Sequence, residues 1–153
     1  MIREARQEDL DSILKLLKEV NYLHHLIRGD LFIEASKYSK EDLINILNSD
    51  NKKIFVAVEE EIMGYIFIEI RDIDDRLHTK IRNVYIDDLC TDSKYRGKGV
   101  ATSLYEYVRE YSKSIGAYNM TLHVYEGNES AKSFYLNKGM KIQYTCLEEV
   151  IDE

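Results

Sequence analysis

The chain has 153 residues, 44% of them hydrophobic and 32% charged, and carries a net charge of −7. That length buries a substantial core, and one domain over residues 1–153 is expected. The acidic balance excludes nucleic acid as the main partner, because a phosphate backbone demands basic surface, and it suits a cationic substrate.

Ile2 to Ala5 reads as a first strand. Leu10, Ile13, Leu14 and Leu17 recur at i, i+3, i+4 and i+7, the spacing of one helix face. Asn21 to Tyr38 reads as irregular, with a turn at Arg28-Gly29-Asp30. Ser39 to Asp42 has the pattern of a capped helix start, followed by Leu43, Ile46 and Leu47 as its apolar face. Ile54 to Val58 and Ile62 to Ile70 form a hairpin around Glu59, Glu60 and Glu61. After a polar loop, Ile81 to Thr91 is the next strand. Val100, Leu104, Val108, Tyr111 and Ile115 mark a long helix closed near Gly116. A strand is expected over Tyr118 to Tyr125, a short helix over Ser130 to Lys138, and one or two final strands within Lys141 to Ile151. The order β-α-α-β-β-β-α-β-α-β, with an optional last strand, is an α/β (α+β) fold: a mixed central sheet of six to seven strands flanked by about four helices.

Between the strand ending at Thr91 and the helix opening at Val100 lies Arg96-Gly97-Lys98-Gly99-Val100-Ala101-Thr102. A glycine-rich turn at a helix start leaves backbone N–H groups free where the helix dipole is positive, which makes an anion site. Gly97 and Gly99 let the backbone approach a ligand closely, and Lys94, Arg96 and Lys98 add three cations. A P-loop is excluded, because Asp92 stands where its first glycine belongs and Gly99 where its hydroxyl belongs.

Arg96, Gly99 and Ala101 match the Arg/Gln-x-x-Gly-x-Gly/Ala signature, Leu89-Cys90-Thr91 the preceding strand triplet, and Asn128, Ala131, Phe134, Tyr135 and Gly139 a second, downstream pattern. On these motifs, between Val84 and Met140, the chain resembles the GCN5-related N-acetyltransferase (GNAT) superfamily in its bacterial small-molecule-like form. The resemblance implies direct acetyl transfer from acetyl-CoA (coenzyme A) to a primary amine in a ternary complex. It implies that the turn from Arg96 through Gly97, Lys98, Gly99, Val100 and Ala101 to Thr102 holds the pyrophosphate. The backbone of Leu89, Cys90 and Thr91 would pair with the pantetheine arm, and Asn128 would contact the cofactor from the other side. Thr91 departs from the usual apolar residue, and Ser93 stands where proline is common.

Such a transfer needs a neutral amine, a polarised carbonyl and a proton for the leaving sulfur. The resemblance assigns the last to Tyr135 as catalytic acid. It makes Asp87 the residue that binds the amine or takes its proton, with Asp88 as a second acid. Strand alternation sends Asp87 and Asp88 to opposite faces unless a bulge shifts the phase. His24 and His25 lie just past the first helix, where relatives contact substrate; both suit a solvated surface, and His25 is carried as a substrate-side candidate. Cys90 has no base near it in sequence and reads as a small strand residue, and no metal-ligand spacing is present.

A small cationic amine is the expected acceptor, with a protein N-terminal or lysine acetyltransferase and a catalytically silent acyl-CoA sensor as alternatives. Two cysteines, a charged N-terminal stretch and the lack of an apolar run near the ~20 residues that span a bilayer point to the cytoplasm and away from membrane. The resemblance adds a homodimer, formed through the C-terminal strands.

Overall fold

The computed structural model describes residues 1–152; Glu153, the last residue of the expected domain, lies outside them. The chain divides into two compact units, Met1–His123 and the residues from Val124 onward.

The first unit holds a five-stranded sheet in the order β1 (Ile2–Glu4), β2 (Lys52–Val58), β3 (Ile62–Ile73), β4 (Ile81–Thr91) and β5 (Asn119–Thr121). Neighbours are antiparallel through β4, and β5 runs parallel to β4. Helices α1 (Leu10–Ile27) and α2 (Lys40–Leu47) connect β1 to β2, and α3 (Val100–Ser114) connects β4 to β5. The mixed sheet flanked by helices is the expected class, with five strands among the described residues in place of the expected six to seven.

Three details differ from expectation. Helix α1 continues through Asn21 to Ile27, because nothing in that stretch breaks a helix before Gly29. Strand β5 is cut to three residues, since its pairing stops at Tyr85 opposite Thr121. No strand forms over residues 141–151 among the described residues. A strand expectation from residue types reports a preference, but a strand exists only against a neighbour's backbone.

The sheet separates two apolar layers. Ile54, Val56, Tyr65, Phe67 and Cys90 pack with Leu10, Ile13 and Leu17 of α1 and Leu43 of α2. On β2 the intervening Phe55 turns the other way, onto Tyr107 and Tyr111 of α3 at ring distances of 5.0 and 5.3 Å. Alternation along one strand thus serves both layers, and each large side chain fully buried contributes about 1.5–3 kcal/mol. Buried Asp9 ends the short turn before α1: burial favours its neutral form, but Arg3 at 2.7 Å and the Arg6 amide at 2.7 Å hold its carboxyl below the usual range. Gly64 sits opposite Thr91, and a Cβ there would lie 2.6 Å from the Cys90 carbonyl oxygen, so only glycine lets β3 come this close to the end of β4.

The second unit carries α4 (Glu129–Asn137), capped by Asn128, whose Oδ1 accepts from the Ala131 amide at 3.3 Å. Gly139 follows the helix with φ +98°. Among the described residues no helix is long and apolar enough to cross a membrane.

Candidate active site

The pairing of β3 with β4 skips a residue at Asp87. Phe67 faces Asp88 and Ile68 faces Ile86, leaving Asp87 as the extra residue of a β-bulge. Simple alternation put the two carboxylates on opposite faces, and the bulge corrects that. Asp88 takes a hydrogen bond from the Tyr65 hydroxyl at 2.9 Å, and Asp87 one from the Tyr38 hydroxyl at 2.5 Å. Tyr38 stacks on Phe67 at 5.6 Å, and Tyr65 meets Phe67 edge-on at 5.0 Å. Both acids therefore open onto the layer covered by α1, α2 and the segment between them.

That segment also delivers a cation. Lys37 Nζ lies 2.9 Å from Asp87 Oδ1 and 3.2 Å from the Asp87 carbonyl oxygen. Burial raises the Asp88 carboxyl to about 6, against the opposing pull of Lys37 and the Tyr65 bond. Burial, reinforced by the carboxylates, pushes the Tyr38 and Tyr65 hydroxyls well above their ordinary range, so both remain proton donors. His24 is also drawn in: burial and then Lys37 lower its basicity. A shallow cleft of about 470 Å³ borders Lys37 and Tyr38, with Asp42, Asn45 and Asn51 on its wall; it reaches the partners of Asp87 but not Asp87 itself.

Sequence reasoning missed Lys37, Tyr38 and Tyr65. Tyr65 had a signal, since a hydroxyl inside an apolar run needs a buried partner. Lys37 and Tyr38 meet Asp87 across 50 and 49 residues, and no local pattern announces that.

Downstream, β4 pairs with β5 only from Asn83 to Tyr85, so its edge from Ile86 through Leu89, Cys90 and Thr91 has no strand on that side among the described residues. A short 3-10 turn over Ser93–Tyr95, held by Asp92 Oδ1 on the Lys94 amide at 3.0 Å, leads into the glycines. Gly97 and Gly99 have φ of +76° and +80°, the left-handed region, and a Cβ on either would meet nothing within 4 Å. Whereas Ser39 caps α2 and Asn128 caps α4, Gly99 gives α3 no side-chain cap. The first amides of α3, at Val100, Ala101 and Thr102, have no preceding turn to donate to. Of the three turn cations, Lys94 is bound to Glu61 at 2.6 Å, and Lys98 lies 5.7 Å over the Tyr95 ring; Arg96 is exposed. Glu61, at the β2–β3 tip, thus touches the turn through an exposed ion pair.

The residues fit acetyl-CoA, the group the motifs imply. The glycine turn is open to a ligand with uncapped amides beneath it. The buried Thr91 Oγ1 has no hydrogen-bond partner among the described residues, which suits an extended polar chain along this strand.

The remaining candidates fall elsewhere. His25 lies within α1, not past it, and its Nδ1 is 2.7 Å from the Phe32 carbonyl, tying α1 to the loop that leads to Lys37. Burial pushes the Cys90 thiol up to about 12, which makes it a poor nucleophile. Asn128 and Tyr135 belong to the second unit, where Asn128 caps α4 and Tyr135 is half-buried with its ring edge-on to Phe134 at 5.1 Å. Among the described residues no group of three or more His, Cys, Asp or Glu side chains is arranged to hold a metal ion.

Comparison with known proteins gives a consistent picture. The Acetyltransferase (GNAT) family matches residues 20–140, which spans both units. An N-acetyltransferase of Lactobacillus delbrueckii subsp. lactis, from the 3′ region of pepI, is 29% identical over 92 residues; the match covers 56% of this chain and 49% of that protein, so the chain matches only about half of its length. The spermidine N(1)-acetyltransferase of Thermoplasma acidophilum is 25% identical over 161 residues, covering 99% of this chain and 94% of that protein. A four-site mutant of the BH1408 protein of Bacillus halodurans has a solved structure that superposes with a TM-score of 0.94, at 28% identity over 99% of each chain.

Proposed function

The chain belongs to the acetyltransferase (GNAT) family and is an N-acetyltransferase, and we propose that its donor is acetyl-CoA and its acceptor a small cationic primary amine, joined by direct transfer in a ternary complex. One observation carries this reading. A single strand, β4, bears at its bulge a carboxylate already seated on an ammonium and, at its end, an open glycine turn that starts a helix without a side-chain cap.

Acetyl-CoA supplies a thioester carbonyl open to attack by an amine. The amides and cations from Arg96 to Thr102 hold its pyrophosphate, the free edge at Leu89, Cys90 and Thr91 pairs with its pantetheine arm, and Asn128 adds a contact. With acetyl-CoA bound along this strand, a backbone amide of the strand would stabilise the charge that develops on the carbonyl oxygen. Asp87 receives the substrate ammonium and takes its proton, with Asp88 beside it. An alkyl amine of pKa ~10 is almost wholly charged at neutral pH and cannot react until it loses that proton. Tyr135 keeps a proton on its hydroxyl for the departing sulfur. His25 acts through its hold on the loop, shaping the substrate side. The Thermoplasma relative, a spermidine N(1)-acetyltransferase, supports a small polycation as acceptor.

The same reading takes residues 1–153 as one acetyltransferase domain, in line with the family match across both units. It includes a cytoplasmic location, in keeping with only two cysteines. It also includes a homodimer, supported by the exposed Ile142, Tyr144, Leu147, Val150 and Ile151 of the tail.

The test is mass-spectrometric product analysis after incubation with acetyl-CoA and a panel of spermidine, free lysine, aminoglycosides and short peptides. Acetylation of the small amines supports the reading. Acetylation of peptides alone moves the acceptor to protein, and no product with any amine overturns it.

A further inference from the structure

Lys37 occupies the position the proposed substrate needs. Its ammonium contacts Asp87 twice, at Oδ1 (2.9 Å) and at the backbone carbonyl (3.2 Å), and lies 5.6 Å from the Tyr38 ring centre. Tyr38 completes the seat by donating to the other carboxylate oxygen at 2.5 Å. The result is a primary ammonium on a flexible four-carbon stem, bound through two of its three N–H groups, against an aromatic wall.

The contact is not built as a permanent structural bridge. The Lys37 side chain remains 41% exposed and that of Asp87 21%, and the stem comes from an irregular segment rather than from a helix or strand. A pair so placed is weak and exchangeable, unlike the Arg3–Asp9 bridge, whose side chains are 18% and 7% exposed. Tyr65 and Phe67 hold the floor of the seat independently of Lys37.

We propose that Lys37 is a tethered stand-in for the acceptor ammonium, which incoming primary alkylamines displace from Asp87, so that Lys37 sets the threshold of amine affinity. The inference rests on the reading of Asp87 as the amine-binding carboxylate. It also narrows the substrate class. The seat offers a carboxylate oxygen and a carbonyl oxygen to one nitrogen, which a primary ammonium satisfies and a fully alkylated one cannot.

The experiment measures steady-state kinetics with acetyl-CoA and spermidine for the wild type, Lys37→Met and Lys37→Arg. Removing the competing charge lowers the spermidine KM by about two- to fivefold, the range for a partly exposed pair, whereas Lys37→Arg keeps a KM at or above that of the wild type. A KM for Lys37→Met that is unchanged or raised overturns the inference. Asp87→Asn separates the two possible failures. If its spermidine KM equals that of the wild type, the reading of Asp87 itself fails; if its KM rises while Lys37→Met has no effect, only the displacement idea fails. As a readout independent of turnover, acylation of Lys37 by a water-soluble N-hydroxysuccinimide ester, read by peptide mass spectrometry as a ratio to the exposed Lys141 in the same sample because spermidine itself consumes the ester, increases when spermidine is added. Labelling that is indifferent to spermidine contradicts displacement.

Discussion

The hydroxyl of Tyr65 lies 2.9 Å from Asp88 Oδ2, within the layer that α1 and α2 bury against the sheet. Next to it along the chain, Asp87 meets Tyr38 and Lys37. Adjacent residues of a strand reach the same face only because the bulge inserts Asp87 as an extra residue. Two half-buried carboxylates thus sit side by side in unequal surroundings, one paired with a cation and the other held by a phenol.

Asp88 makes stability depend on pH in a direction opposite to that of most carboxylates. Its folded carboxyl is held at about 6, above the ordinary 3.8 of the unfolded chain. The cost of burying its charge is present in full above pH 6 and is lost as pH falls from about 6 to about 4. Asp88→Asn removes that cost, so the variant is more stable than the wild type near pH 8, by up to about 3 kcal/mol, with the difference closing towards pH 4. Urea unfolding at several pH values checks this; a difference independent of pH contradicts it.

Gly64→Ala destabilises the protein. The added methyl meets the Cys90 carbonyl at 2.6 Å, and backbone on both strands must give. Overpacking of this kind costs about 1–3 kcal/mol, read as a lower denaturant midpoint with an unchanged slope. A midpoint equal to that of the wild type shows that β3 and β4 separate freely.

Gly99→Asp abolishes CoA binding while the fold survives. The new side chain enters open space, at a backbone strain of about 1–2 kcal/mol, but places a negative charge at an anion site. Calorimetric titration with CoA reads the loss. Undiminished binding moves the pyrophosphate away from this turn.

Tyr135→Phe separates binding from chemistry. CoA affinity is retained and acetyl transfer slows by roughly 10²–10⁴-fold, the usual contribution of a positioned acid. Full activity in the phenylalanine variant removes Tyr135 from the acid role.

Much of this was legible in the sequence because it is local. The strand leading into Gly97 and Gly99 announces the turn, since positive φ needs glycine, and the 3.6-residue period of Val100, Leu104 and Val108 announces α3. The short helix expected from Ser130 is α4, although the capping role of Asn128 at its start shows only in the structure. What stayed hidden depends on distant partners. A bulge is a mismatch between two strands, so Asp87 alone does not reveal it. Lys37 and Tyr38 belong to a segment without periodicity and gain their role only from a strand 50 residues away. The tail over residues 141–151 reads as strand, but residue preference does not supply the neighbouring backbone that makes one.

The central claim, that the bulge of β4 seats a substrate ammonium on Asp87, is tested most directly by the amine KM of Asp87→Asn. A charged hydrogen bond contributes about 1.5–3 kcal/mol, so the account predicts a KM for spermidine raised by roughly ten- to a hundredfold, with the Kd of CoA unchanged. A KM within twofold of the wild type, at unchanged CoA affinity, contradicts it.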